Sequence, residues 1–254
     1  GPYGRLNHFA HPDAEVRQYY VDWFKGMADI AADLGAPAIG TQFGIFTFRD
    51  YDDQKRRDEL MKIALDCWRD VAEHARARGL TWLFWEPMSV GRELGHTLKD
   101  TQSLQDWIDA AALPIPLKPM VDIDHGDVTS PNPADVDPFA WAKDFATQSP
   151  IIHIKQSTMN KGGHWPFTAQ YNENGRITPA RWVEIPADVA GAWIRAKADR
   201  DIAKASVTFQ YAANDGRGVG RDGLFKGLSK AGDASSQGAL LLTRGANLRT
   251  LMQS

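Results

Sequence analysis

The 254-residue chain is 43% hydrophobic and carries a formal charge of -3, enough for one large core and too little positive charge for a general attraction to nucleic acid. No apolar run approaches the roughly 20 residues needed to span a bilayer, and no basic-then-apolar leader opens the chain. The one cysteine, Cys67, excludes an internal disulfide and suits a reducing compartment, so the composition reads as a soluble, cytoplasmic, globular protein.

Taken in order, the chain opens with the loop-like GPYGRLNHFAHPD. From Glu15 to Leu34 apolar residues recur at three- and four-residue steps, which predicts an amphipathic helix with Asp13 as N-cap and Gly35 as its stop. APAIGTQFGIF then reads as a short buried strand. Asp52 and Asp53 introduce a long helix to Arg78, in which Leu60, Ile63, Ala64, Cys67, Trp68, Val71 and Ala75 share a face. Cys67 reads there as a small buried apolar residue. Gly79 closes that helix, and LTWLFWE follows as a strand. A third helix is expected from about Leu98 to Ala111, a strand at LKPMVDID, and a short helix from Pro138 to Phe145 with proline in its preferred first position. PIIHIKQ is the next strand. Helix and strand alternate with about 25–40 residues per unit, which argues for parallel βαβ units.

Beyond His153 the text loosens. MNKGGHWPFTAQYNENGRI reads as loop, with turns at Gly162-Gly163 and Asn174-Gly175. Pro179 to Ala198 is compatible with a helix, VTFQY at Val207–Tyr211 with a strand, and Ala239–Met252 with a last helix. The glycine-rich stretch from Ala212 to Gly238 reads as mobile. The expected organisation is one domain over residues 1–202 and a divergent, largely flexible tail over 203–254.

Chemistry concentrates at the ends of the apolar runs. Glu86 closes an almost wholly apolar strand and is followed by Pro87, which ends the ladder. A carboxylate there must be solvated, paired or bound to a cation. Asp122 and Asp124 share one face of an extended strand, and His125 follows them. Asp122 also suits a cap on the following turn. His153 is flanked by two isoleucines, as a satisfied core histidine would be, yet Lys155 makes the same face polar. Carboxylates and imidazoles from successive strand ends suit one divalent cation, Mn²⁺, Mg²⁺, Co²⁺ or Zn²⁺. Lys161, the amides of Gly162 and Gly163, and His164 could hold a phosphate or polyol under Trp165 and Phe167, or form an ordinary surface turn. Arg92 and Glu93 read as surface charge or as further lining of the same mouth.

WEPMSVGREL, VDIDHGD, HIKQS and NKGGHWPFT together resemble the xylose-isomerase-like sugar phosphate isomerase/epimerase family, and within it the erythrulose-phosphate epimerase type. The resemblance runs from about Leu6 to about Pro179. It implies a (β/α)8 TIM barrel, with Glu86, Asp122 and His153 as three metal ligands and Glu86 as the acid/base. His125 matches the position that contacts substrate, and Lys161, Gly162, Gly163, His164 and Trp165 of the NKGGHWPFT motif are the further candidate substrate-binding residues. The implied reaction moves a proton next to the carbonyl of a small keto-sugar or its phosphate through an enediolate. The family's fourth ligand is a glutamate on the last strand, whereas no glutamate follows Glu184 and VTFQY offers only Gln210 near that position.

GRLNHFAHPD resembles the family just after its third strand, so an incomplete barrel is expected, with its first strands missing and its tail divergent. The rival reading is an inactive fragment or pseudoenzyme that only binds a sugar or a partner. Phosphodiester cleavage at abasic DNA on a related barrel needs more metals and a surface better disposed to phosphates. A small sugar or sugar phosphate is the expected ligand, with neither nucleic acid nor membrane as partner. Exposed strand edges of an open barrel would favour association into homo-oligomers.

Overall fold

The computed structural model describes residues 7–122, 124–145, 148–154, 156–158, 162–165, 174–175, 205–209 and 239–242. The described elements are α1 (Ala14–Asp33), β1 (Ala38–Thr41), α2 (Phe48–Asp52), α3 (Gln54–Ala77), β2 (Trp82–Trp85), α4 (Leu98–Ala110), β3 (Leu117–Pro119), β4 (Val121–Asp122), α5 (Pro138–Phe145), β5 (Ile151–Ile154), β6 (Gln156–Thr158), β7 (Gly162–Trp165), β8 (Ala205–Phe209) and β9 (Ala239–Leu242), with single 3₁₀ turns at Gly91–Glu93 and Pro133–Val136. Among the described residues no helix is long and apolar enough to cross a membrane. The chain divides into two compact units, one comprising the chain to Met120 with His125–Pro131, the other Val121–Asp124 with Asn132 onward.

In the first unit β1, β2 and β3 form a parallel sheet in that order. Thr41 lies opposite Trp85, and Trp85 opposite Pro119. Parallel strands need crossovers, and α3 and α4 supply them. The helices begin where the sequence offers caps: Asp13 accepts from the Glu15 amide at 2.8 Å, and Thr97 from the Asp100 amide at 3.1 Å. α1 and α3 end at Gly35 and Gly79, whose φ values of +70° and +89° suit a residue without Cβ. The single helix expected from Asp52–Asp53 to Arg78 is two. Asp53 has extended backbone and its side chain accepts from the Arg56 amide, so it caps α3 and cuts it from α2.

The core is aromatic. Phe9, Phe24, Phe43, Trp68 and Trp85 are buried, and the Phe9 ring lies 5.0 Å from those of Tyr20 and Trp68 in edge-to-face contact. The Trp68 indole donates to the Phe43 carbonyl at 2.8 Å. That bond explains why the strand expected over the whole of APAIGTQFGIF stops at Thr41: Phe43 and Phe46 are buried as anchors of the following loop. Cys67 is half-buried in this layer, and its thiol faces the Phe9 carbonyl at 3.9 Å.

In the second unit β4, β5 and β8 run parallel, and β9 closes on β8 antiparallel. Trp141 and Phe145 on α5 are buried, and the Trp141 indole donates to the Asp135 carbonyl at 2.8 Å. Two expectations are corrected here. Residues 239–242, read as the start of a last helix, are a strand, because a short Ala-Leu-Leu-Leu run carries no period of its own and the β8 edge offers it backbone partners. Gly162 and Gly163, read as a turn, lie in β7, which pairs antiparallel with β6. The strand expected at VTFQY is found at Ala205–Phe209. The helix expected over 179–198 and the stretch 212–238 lie outside the described residues.

A candidate active site at the strand ends

Glu86 follows the last residue of β2, and its amide donates to the Thr41 carbonyl at 3.1 Å, which ties it to the end of β1. Trp85 beneath it is wholly buried, its indole held by the Gln105 side chain of α4 at 2.8 Å. Pro87 ends the strand. The next amide, of Met88, donates to the Leu94 carbonyl at 3.0 Å, and Met120 donates to the Trp85 carbonyl at 2.7 Å. Glu86 is thus fixed by backbone bonds on both sides while its side chain stays 12% exposed.

His125 belongs to the same unit and brings its Nδ1 to 3.4 Å from Glu86 Oε1 and 3.2 Å from the Pro87 carbonyl. Both neighbours of Nδ1 are acceptors, which favours the tautomer with its proton on Nδ1. The ring is 7% exposed. A carboxylate at a strand end and a buried imidazole beside it make a pair that can pass a proton.

In the second unit Asp122 is wholly buried at the end of β4 and lies in register beside His153 of β5. Asp122 Oδ1 accepts from the Asp124 amide at 3.0 Å, so the turn-capping role read from the sequence is real. A buried carboxylate favours a cation or a proton nearby.

Gly162, His164 and Trp165 stand on β7 with Gly163, while Lys155 and Lys161 lie outside the described residues. Arg92 bridges to Glu93 at 3.2 Å and lies over the Phe48 ring at 5.2 Å. Asn7, Thr41 and Gln42 are buried polar residues at the end of β1, and sequence reading passed over them. Their signal was present as the polar pair Thr41-Gln42 inside an apolar run. A cavity of about 470 Å³ between α3 and α4, bordered by Met61, Lys62, His96 and Trp107, contains neither Glu86 nor His125.

The model of the xylose isomerase-like TIM barrel family matches residues 1–172. The chain belongs to this family. Glu86 stands just past the C-terminal end of the parallel strand β2, the end of a strand at which sites gather in barrels. The xylose isomerase-like chain is 63% identical over 179 residues to D-erythrulose 1-phosphate 3-epimerase of Brucella abortus (strain 2308), covering 70% of this chain and 58% of that relative. It therefore spans less than two thirds of the relative's length. A crystal structure from Rhodospirillum rubrum, provisionally named a xylose isomerase, matches with a TM-score of 0.60 and 27% identity, over 70% of this chain and 59% of that one. D-Psicose 3-epimerase of Clostridium cellulolyticum, solved with D-tagatose, shares the fold at a TM-score of 0.50 and 14% identity, over 84% and 62%.

Proposed function

We propose that the chain is an isomerase or epimerase of a small keto-sugar phosphate, of the kind its Brucella relative is named for. The observation that carries this reading is the Glu86–His125 pair, 3.4 Å apart at the end of β2. In the reaction a C–H bond next to the ketose carbonyl breaks, its proton goes to the Glu86 carboxylate, and the electron pair moves onto the carbonyl oxygen as an enediolate. A proton delivered from solvent to the other face gives the epimer, and Glu86 releases the proton it took to solvent. His125 holds the Glu86 carboxylate through Nδ1–H and presents Nε2 to a substrate hydroxyl. By the family pattern Glu86, Asp122 and His153 would hold one divalent ion, which lowers the cost of negative charge on the carbonyl oxygen. Lys161, His164 and Trp165 remain candidates for the phosphate end.

A second reading, binding of a sugar without turnover, is favoured by one fact: no glutamate follows Glu184 to act from the opposite face. The two separate in one assay. With Mn²⁺ and a ketotetrose phosphate in deuterated water, the catalytic reading expects deuterium at the carbon beside the carbonyl. Glu86→Gln should slow that exchange by roughly 10²–10⁴-fold with the fold intact. No exchange from folded, Mn²⁺-treated protein, or an undiminished rate in E86Q, refutes catalysis by this chain.

A further inference from the structure

We infer that Gln42 is a substrate-binding residue, its carboxamide reading a hydroxyl group of the keto-sugar beside Glu86. This deepens the proposed function and rests on it for the identity of the ligand. Gln42 is one residue past Thr41, and Glu86 is one past Trp85, the register partner of Thr41. The two therefore leave adjacent parallel strands side by side, in the same unit and at the same sheet edge.

Gln42 is held firmly. The side-chain amide of Asn7, which is 1% exposed, donates to the Gln42 carbonyl at 2.7 Å. The Asn7 Oδ1 in turn accepts from the Phe9 amide at 2.8 Å, so the clamp is itself fixed to the aromatic core. The Thr41 hydroxyl lies 2.9 Å from Gln42 Oε1 and occupies one pole of the carboxamide. The other pole, the NH₂ group as oriented, makes no hydrogen bond to the described residues and keeps contact with solvent, although the residue is only 5% exposed.

An amide fixed at one pole and open to solvent at the other can exchange its water for a ligand group of matching polarity. The chemistry of that ligand follows from the group. A carboxamide carries no charge and so gives little hold on a phosphate, whereas it pairs well with a neutral hydroxyl, which both donates and accepts. Should the amide be turned over, Thr41 would accept from the nitrogen and the oxygen would face the ligand, and a hydroxyl would still satisfy it. Placed beside the proton-moving carboxylate, such a contact fixes which substrate carbon faces Glu86.

The test measures binding of a ketotetrose phosphate and of inorganic phosphate by calorimetry in the full chain with Mn²⁺, alongside deuterium exchange. Gln42→Met, close in volume and without a polar group, should weaken ketotetrose phosphate binding about 5- to 10-fold and leave phosphate binding unchanged. Unchanged sugar-phosphate affinity in folded Q42M, or equal losses for both ligands, overturns the assignment. Where Q42M fails to fold, Gln42→Asn shortens the reach while keeping the amide, and the same comparison decides. Wild-type protein that binds but does not exchange ends the catalytic proposal while leaving the Gln42 comparison readable. Wild-type protein that does not bind the sugar phosphate ends both.

Discussion

Gln105 is the buried group whose removal should cost the first unit most for the fewest atoms changed. It is wholly buried on α4. Its Oε1 accepts from the Trp85 indole at 2.8 Å, and its Nε2 donates to the Leu117 carbonyl at 3.0 Å and to Asp109 Oδ1 at 2.9 Å. One side chain therefore ties a helix to both β2 and β3. Gln105→Leu keeps the volume and strips the partners from a buried N–H and a buried C=O. Each orphaned group costs about 1–3 kcal/mol. The carbonyl keeps a second lone pair for other donors, so its share falls at the low end, and Asp109 is exposed and loses little. Leucine recovers about 1 kcal/mol in apolar burial. The net expectation is a loss of about 2 kcal/mol.

In urea, with a slope of about 2–3 kcal/mol/M, that is a fall in midpoint of somewhat under 1 M at unchanged slope. Trp85→Phe removes the indole N–H, so the double variant should recover about 1 kcal/mol relative to the sum of the single changes. A midpoint shift worth less than about 0.5 kcal/mol, or strict additivity with W85F, would show that the Gln105 bonds are not what holds Trp85. Because Trp85 immediately precedes Glu86, loss of exchange in Q105L should exceed what its unfolded fraction explains.

Two further substitutions test the packing of the first unit. Gly95 has a φ of +72°, and a Cβ there would lie 3.0 Å from both Pro87 Cβ and the Trp85 ring. Gly95→Ala should thus cost about 2–4 kcal/mol, from left-handed strain together with overpacking, read as a urea midpoint, and a near-neutral result would refute the packing described. Burial pushes the Cys67 thiol up to about 11, against a partial opposing pull from Arg17. Native protein at pH 8 should therefore react far more slowly with a thiol reagent than urea-unfolded protein. A thiol raised in this way contributes stability that is fully present below the unfolded value near 9 and is lost as pH rises through about 11. Cys67→Ala should flatten the fall in stability across that window, and an unchanged slope would refute the assignment.

Local chemistry made much of the fold legible. The helices at 14–33, 98–110 and 138–145 follow from a 3.6-residue apolar period bounded by Asp13, Thr97 and Pro138, because caps and periods act over a few residues. β2 was readable as an apolar run ended by Pro87, and four motifs carried the family resemblance. Even the division of the long helix at Asp53 is a capping effect, visible once Asp53 is read as a cap and not as part of a single helix start. Glu86, Asp122 and His125 stood out individually as polar groups at apolar strand ends.

What tertiary structure decided is partnership. That His125 turns its Nδ1 to Glu86 and Pro87, that Asp122 aligns with His153, and that Gln42 is clamped by Asn7 beside Glu86 all depend on strand register, which no local period specifies. The same holds for β7 and β9: a glycine pair or a run of leucines accepts turn, helix or strand, and the neighbouring edge that supplies backbone partners makes the choice. The sequence alone determined which groups were costly to bury, because that cost belongs to the side chain. Only folding determined which of them share it, because a hydrogen bond or an ion pair needs two groups brought together from distant parts of the chain.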